Sequence, residues 1–158
     1  MASTVTSEID VEAPLRTVYN QWTQFETFPR FMEAVESIRQ VDDQLTHWEV
    51  SIGGVSREFD AVIVSQEPDD HIEWRSVDER MHTGRVSFHA IDAGRTRVVL
   101  AMAWEPETFV EKAGAKLGVD ERQVRGDLER FATFIQERPV ETGAWRGDIE
   151  EGAVRDDG

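Results

Sequence analysis

Apolar and polar residues follow two different periods in the N-terminal part of the chain. Between residues 5 and 11 they alternate with the period of two that is typical of a half-buried strand. After Pro14, a residue suited to the first turn of a helix, apolar side chains recur at helical spacing over residues 15–22 and predict a short helix. Residues 25–32 hold three phenylalanines and a methionine, which predicts a second short helical turn packed on the body of the protein.

Residues 35–104 have the pattern of an antiparallel meander. Their alternating runs are separated by turn signals, which are Asp42-Asp43, Gly53-Gly54, Pro68-Asp69-Asp70 and Asp92-Ala93-Gly94. Glycine tolerates the positive φ values of a two-residue hairpin loop, so Gly53-Gly54 fixes the register of the strands on either side. This register pairs Trp48 with Phe59 and therefore puts both aromatic side chains on one face.

The alternation gives the predicted sheet one apolar face and one polar face. The apolar face collects Trp48, Phe59, Ala61, Ile63, Ile72, Trp74, Val86, Phe88, Val98, Leu100 and Met102. The opposite face collects the side chains expected to meet water, which are His47, Glu49, Asp60, Glu73, Arg75, Arg85, His89 and Arg97. Val62, Val64, Val99 and Ala101 depart from this rule, either as scattered surface residues or as a small contact patch.

The chain returns to helical spacing after the meander. Apolar residues recur at intervals of three or four positions between 109 and 135, which predicts one long helix. Asp120 followed by Gln123 resembles a capping box, so we expect the helix to break near Gly118 and to restart.

Length and composition favour a single globular domain. A chain of 158 residues with 39% hydrophobic side chains can form one packed interior. We assign the domain to residues 1–138 and interpret residues 139–158, which include Trp145, as an acidic tail that is mobile or lies on the surface. No run approaches the roughly 18 apolar residues of a membrane-spanning helix, and the N-terminus lacks a basic segment followed by an apolar one. We therefore expect a cytoplasmic protein without stable membrane insertion, present as a monomer or weak homodimer.

The net negative charge of the chain argues against nucleic acids as partners. The chain has 17 basic and 32 acidic residues, which give a formal net charge of −15. A field of that sign repels phosphate backbones, so we expect no nucleic-acid partner.

Cysteine, histidine and serine patterns argue against several catalytic classes. The chain has no cysteine, which excludes thiolate nucleophiles and cysteine-based zinc sites. His82 and His89 are seven positions apart on one strand and face opposite sides of the sheet, so we expect neither a metal nor another cofactor. Ser51 and Ser56 have no histidine nearby in the sequence, and no Gly-x-Ser-x-Gly motif exists, so we do not expect a hydrolase.

Several segments carry a resemblance to a known family. They are Val11-Glu12-Ala13-Pro14 with Val18-Tyr19 and Trp22, Phe25-Glu26-Thr27-Phe28-Pro29-Arg30-Phe31-Met32, Ile72-Glu73-Trp74-Arg75-Ser76, Gly84 with Phe88, and Asp127-Leu128-Glu129-Arg130-Phe131. Together with the element order they resemble the START-like superfamily of SRPBCC proteins, in its polyketide cyclase/dehydrase branch, over about residues 3–138. The resemblance implies an α+β helix-grip fold with a seven-stranded curved antiparallel sheet, two short helices after the first strand and a long, broken C-terminal helix. It also implies an apolar cavity between sheet and helix, in a superfamily that includes cyclases, lipid or quinone carriers, hormone receptors and chaperone activators.

Three functions remain open at this point. The first hypothesis is binding or transport of a hydrophobic small molecule or lipid in a cavity lined by Trp48, Phe59, Trp74, Phe88, Met102 and Leu117. In this hypothesis Arg57 or His82 orients a polar end of the ligand. The alternative is a polyketide cyclase or dehydratase in which His82 is the general acid or base and Arg57 stabilises an enolate. The third is a ligand-free protein-interaction module, for which the cavity would be filled.

Pocket tyrosines are one point on which the family resemblance is incomplete. Aromatase/cyclases of the superfamily are thought to use arginine, tyrosine or histidine groups, and the only tyrosine here, Tyr19, belongs to the predicted first helix.

Overall fold

An antiparallel sheet and three helical segments make up the part of the chain that the computed structural model describes, namely residues 3–52, 55–77, 82–104, 121–137, 147–150 and 153–155. The strands are β1 (Ser3–Val11), β2 (Val35–Gln40), β3 (Leu45–Ile52), β4 (Val55–Glu67), β5 (His71–Ser76), β6 (His82–Asp92), β7 (Arg95–Trp104), β8 (Asp148–Glu150) and β9 (Ala153–Arg155). The helical segments are α1 (Leu15–Trp22), the 3₁₀ helix η1 (Phe25–Arg30) and α2 (Glu121–Glu137).

The sheet has the strand order β1-β7-β6-β5-β4-β3-β2, with every neighbouring pair antiparallel. The meander therefore runs from β2 to β7, and β1 joins it at the β7 edge. Trp48 lies opposite Phe59, and Val50 lies opposite Arg57, which confirms the predicted hairpin register. This architecture is the α+β helix-grip fold that the sequence led us to expect.

The two faces of the sheet separate by polarity as predicted. Every residue assigned to the apolar face is buried, from Trp48 on β3 to Met102 on β7. The charged and polar residues assigned to the other face are exposed or half-buried, and so are the four apolar exceptions. We call the apolar side the inner face and the other side the outer face.

The helices pack over the inner face. The helix α1 begins after Pro14 and packs against β6 and β7, while α2 packs mainly against β1 and also contacts β7 and η1. Trp22 of α1 contacts Phe28 and Phe31 near η1 and Phe131 of α2, with ring centroids 5.0–5.2 Å apart. These ring contacts hold the three helical segments together as one cover.

Two features of β4 departed from the simple pattern. A β-bulge at Val64 shifts the register against β5, so that Ser65 lies opposite Glu73 and Gln66 opposite Ile72. The strand also extends past the end of β3, and β8 pairs with it there through Gln66 and Ile149.

The strands β8 and β9 extend the seven predicted ones. Each has three residues, too few to produce an alternating pattern, and this explains why the sequence did not predict them. Ile149 is completely buried and belongs to the hydrophobic core. The predictions made for Leu117, for the helix break near Gly118 and for Trp145 lie outside the described residues.

Candidate functional site

His82 lies at the centre of an aromatic cluster on the inner face. Its ring centroid is 5.3 Å from that of Trp48, 5.8 Å from that of Phe59 and 6.3 Å from that of Trp74. The alternation of β3, β4, β5 and β6 puts all four side chains on the same side of the sheet. We call these four residues the inner aromatic cluster.

Gly84 makes room for the indole of Trp74. The two residues are directly opposite each other on β6 and β5. A Cβ atom at position 84 would lie 2.3 Å from Cζ2 of Trp74 and 2.7 Å from its Nε1. Only glycine therefore allows the indole to lie flat across the neighbouring strand and reach His82.

Both ring nitrogens of His82 have hydrogen-bond partners. Nε1 of Trp74 donates to Nε2 of His82 over 2.9 Å, and Nδ1 lies 3.0 Å from the carbonyl oxygen of Ala103. Because an indole nitrogen and a carbonyl oxygen have only one role each, the ring is the neutral tautomer with its proton on Nδ1. Burial lowers the pKa of His82 to about 3, although the bond to Ala103 acts in the opposite direction.

Phenylalanines of η1 cover the aromatic cluster from the helical side. The ring of Phe25 lies 5.5 Å from that of Trp74 and 6.3 Å from that of Trp48. Phe28 stacks on Phe25 at 4.5 Å and contacts the same two indoles. Any ligand that reaches Trp48 or Trp74 therefore also meets η1.

The other predicted lining residues are distributed along the same face. Phe59 stacks on Trp48 at 5.6 Å, and Met102 lies opposite Gly84. Phe88 is farther along β6, and it meets the ring of Tyr19 edge-on at 5.4 Å.

Arg57 is half-buried on the inner face, two positions before Phe59. Its guanidinium donates to the carbonyl oxygen of Ser56 over 3.0 Å. The structure therefore puts Arg57 on the same face as His82, at the sheet end where β4 begins.

Besides the hydrogen-bonded pair of Trp74 and His82, a second hydrogen-bonded pair of polar groups lies on the inner face, near the end of β4. Nε2 of Gln66 donates to the hydroxyl oxygen of Tyr19 over 2.8 Å, and both residues are buried. The bulge at Val64 turns Gln66 inward, and α1 directs Tyr19 toward the sheet. Sequence reasoning missed this pair, because simple alternation places Gln66 on the outer face.

A charged contact joins α2 to the end of η1. Arg130 donates to the carboxylate of Asp127 and, over 2.9 Å, to the carbonyl oxygen of Phe31, while Asp127 accepts from the amide of Glu33. The Asp127 side chain is only 2% exposed. Burial raises its pKa to about 6, although Arg130 and the Glu33 amide lower it.

The described ranges lack both a metal-binding cluster and a membrane-spanning helix. In those ranges, no three histidine, aspartate or glutamate side chains are arranged to hold a metal ion. No helix in the described part of the chain has the length and apolarity needed to cross a bilayer.

Comparison with known proteins gives one family and several similar chains. Residues 11–133 match the family model described as polyketide cyclase / dehydrase and lipid transport. An uncharacterized 17.2 kDa protein of Streptomyces lincolnensis is 51% identical over 148 residues, which cover 93% of this chain and 99% of that protein.

Two solved structures show the same fold. A protein of Deinococcus radiodurans has a TM-score of 0.67 at 26% identity, over 85% of this chain and 98% of its own. The Zhui aromatase/cyclase of a Streptomyces species has a TM-score of 0.65 at 16% identity, over 92% of this chain and 100% of its own.

Proposed function

Because the chain belongs to the polyketide cyclase / dehydrase and lipid transport family, we propose that it binds or carries an uncharged hydrophobic small molecule or lipid on the inner face of its sheet. The observation that supports this most strongly is the state of the inner aromatic cluster. Its one titratable side chain, His82, is buried, neutral and hydrogen-bonded on both ring nitrogens. An aromatic environment without an ionised group suits the apolar body of a ligand.

The proposed contacts follow the inner face from end to end. Trp48, Phe59, Trp74, Phe88 and Met102 would supply aromatic and thioether contacts. Leu117, which lies outside the described residues, remains the sixth proposed contact. Arg57 is the proposed partner for a polar end of the ligand, because it is half-buried on the inner face and its guanidinium can donate several hydrogen bonds.

A carrier explains His82 better than a cyclase or dehydratase does. A general base works best when its pKa is near the working pH, and the pKa of His82 is about 3. Its Nε2 lone pair is already used by Trp74, so proton abstraction would first require breaking that hydrogen bond. We therefore propose that His82 orients Trp74 and does not transfer protons.

The cellular location and the oligomeric state of the protein are also part of the proposal. As the sequence led us to expect, we propose that it works in the cytoplasm as a monomer or weak homodimer. Light scattering after size exclusion would measure the oligomeric state.

Fluorescence titration with N-phenyl-1-naphthylamine, a neutral apolar probe, tests ligand binding. We expect saturable binding that Phe59→Leu weakens about 2- to 10-fold, because an aromatic contact is worth about 0.5–1.5 kcal/mol. Val62→Leu, on the outer face of the same strand, is the matched control and should bind like the wild type. Absence of saturable binding, or equal weakening by both substitutions, would contradict the proposal.

A second assay separates the carrier from the cyclase. The wild type is incubated with a linear poly-β-ketone mimic, and cyclised product is measured by chromatography. We expect no conversion. Conversion that His82→Gln lowers by about 10²–10⁴-fold would identify His82 as a general acid or base and would favour the cyclase.

A further inference from the structure

The outer face holds a chain of three side chains that has no part in the proposed ligand site. The hydroxyl of Ser65 lies 2.6 Å from Nε2 of His71, and Nδ1 of His71 lies 2.6 Å from Oδ2 of Asp70. Because an ionised carboxylate only accepts hydrogen bonds, Nδ1 of His71 donates to Asp70. In the neutral imidazole this leaves Nε2 to accept from the Ser65 hydroxyl. This is the order of groups that activates a serine nucleophile.

Two backbone features bring these residues together. The bulge at Val64 turns Ser65 from the inner to the outer face, where it lies diagonally opposite His71. The turn before β5 contains Asp69 with a φ of 64°, a left-handed conformation that is uncommon outside glycine. Phe88 then fixes the turn by donating its amide to the carbonyl oxygen of Asp70 over 2.9 Å.

The three side chains combine a fixed base with access to solvent. The His71 side chain is 14% exposed and that of Asp70 is 55% exposed, while Ser65 is half-buried. Nε2 of His71 is thus held against the hydroxyl by a partner on its other nitrogen. The group is open to solvent at Asp70, on the outer face of the sheet.

The sequence led us to expect no hydrolase, but we propose from this geometry that Ser65, His71 and Asp70 form an esterase site for small neutral carboxylic esters. Ser65 is the nucleophile, His71 the general base and Asp70 the group that orients the imidazole. We expect the substrate to be neutral because Glu67, Asp69 and Asp70 belong to the same hairpin and their negative charges repel anionic substrates.

The reaction has two balanced steps. The Ser65 hydroxyl proton passes to Nε2 of His71 while Oγ bonds to the ester carbonyl carbon, and the C=O π electrons move onto the carbonyl oxygen. These electrons then re-form the C=O bond as the ester C–O bond breaks, and the alcohol leaves with the proton from Nε2. In the second step, water gives a proton to Nε2 of His71 and bonds to the acyl carbon. The bond from that carbon to Oγ of Ser65 then breaks, which releases the carboxylic acid and returns the proton to the Ser65 hydroxyl.

Labelling with a fluorophosphonate tests the site in the full chain. Activated serines react with this probe, and peptide mass spectrometry locates the adduct. We expect the adduct on Ser65 and expect His71→Asn to slow its formation by about 10²–10⁴-fold. Ser37→Ala is the matched control, because the Ser37 hydroxyl donates to Glu49 over 3.1 Å on the outer face.

Hydrolysis of p-nitrophenyl acetate supplies the second measurement. Turnover should disappear in Ser65→Ala and remain unchanged in Ser37→Ala, with far-UV circular dichroism used to verify folding of each variant. No adduct on wild-type Ser65, equal labelling rates in wild type and His71→Asn, or equal ester turnover in folded Ser65→Ala would each overturn the proposal. The site is on the opposite face from the proposed ligand site, so these outcomes are independent of N-phenyl-1-naphthylamine binding.

Discussion

Gly84→Ala should disrupt the inner aromatic cluster through a single methyl group. The new Cβ would lie 2.3 Å from Cζ2 of Trp74, whereas carbon atoms in contact prefer about 3.5–4.0 Å. The indole must therefore move by more than about 1 Å. Because the space beside it is occupied by Phe25 and His82, this movement cannot leave the packing unchanged.

The expected cost combines two effects of similar size. Forcing an added methyl group against a packed side chain costs about 1–3 kcal/mol. Moving the indole also breaks the hydrogen bond from Trp74 to His82, and leaving buried groups unpaired costs about 1–3 kcal/mol more. Alanine recovers about 0.5–1 kcal/mol, because glycine loses more backbone entropy in a strand. We expect the free energy of unfolding to fall by about 1–5 kcal/mol.

Urea unfolding monitored by circular dichroism measures this loss. Gly94→Ala is the matched control, because a Cβ at that turn position meets no atom within 4 Å. It should stay within about 0.5 kcal/mol of the wild type. Trp74→Phe combined with Gly84→Ala should cost less than the two changes added together, because phenylalanine lacks the clashing atoms. A Gly84→Ala protein as stable as the wild type would refute the packing argument.

Three further predictions concern pH and salt. Because the pKa of His82 is lowered to about 3 in the folded state, the unfolded chain protonates this histidine first as pH falls. The free energy of unfolding should therefore fall by up to about 1.4 kcal/mol per pH unit between pH 6.5 and 3. In acid unfolding, His82→Gln should not show this pH-dependent loss. The pKa of Asp127 is raised to about 6, so the stabilising effect of its protonation on the fold is fully present below pH 3.8 and is lost as pH rises through 6. A wild type that loses no stability relative to Asp127→Asn between these pH values would contradict this expectation. Monovalent salt should raise the melting temperature by screening the charge of −15, because exposed ion pairs such as Arg85–Glu73 add little, and a falling melting temperature would show that such pairs dominate.

The sequence predicted those parts of the fold that depend on regular alternation. Trp48 and Phe59 pair as the glycine hairpin predicted. The residues assigned to the inner face by alternation, as far as Met102, are all buried. The alternation predicted for β4 fails after the bulge at Val64, which adds one residue without a recognisable pattern. Gln66 turns inward and Ser65 outward for this reason.

The chemistry of the site was harder to predict than its position. Alternation placed His82 on the inner face, but its neutral state depends on Trp74 and Ala103, which approach through pairing across three strands. Nothing in the sequence near Tyr19 indicates its contact with Gln66, which is 47 positions away. Such contacts depend on three-dimensional packing.

Photolabelling tests most directly whether the inner face binds a hydrophobic molecule. A long-chain alcohol carrying a diazirine is irradiated with the full chain, with and without an excess of the unlabelled alcohol, and adducts are assigned to residues by mass spectrometry. The proposed function predicts saturable adducts on inner-face residues such as Trp48, Phe59 or Met102, suppressed by the competitor. Adducts that do not saturate, or that fall on outer-face residues such as Val62 and Val99, would contradict it.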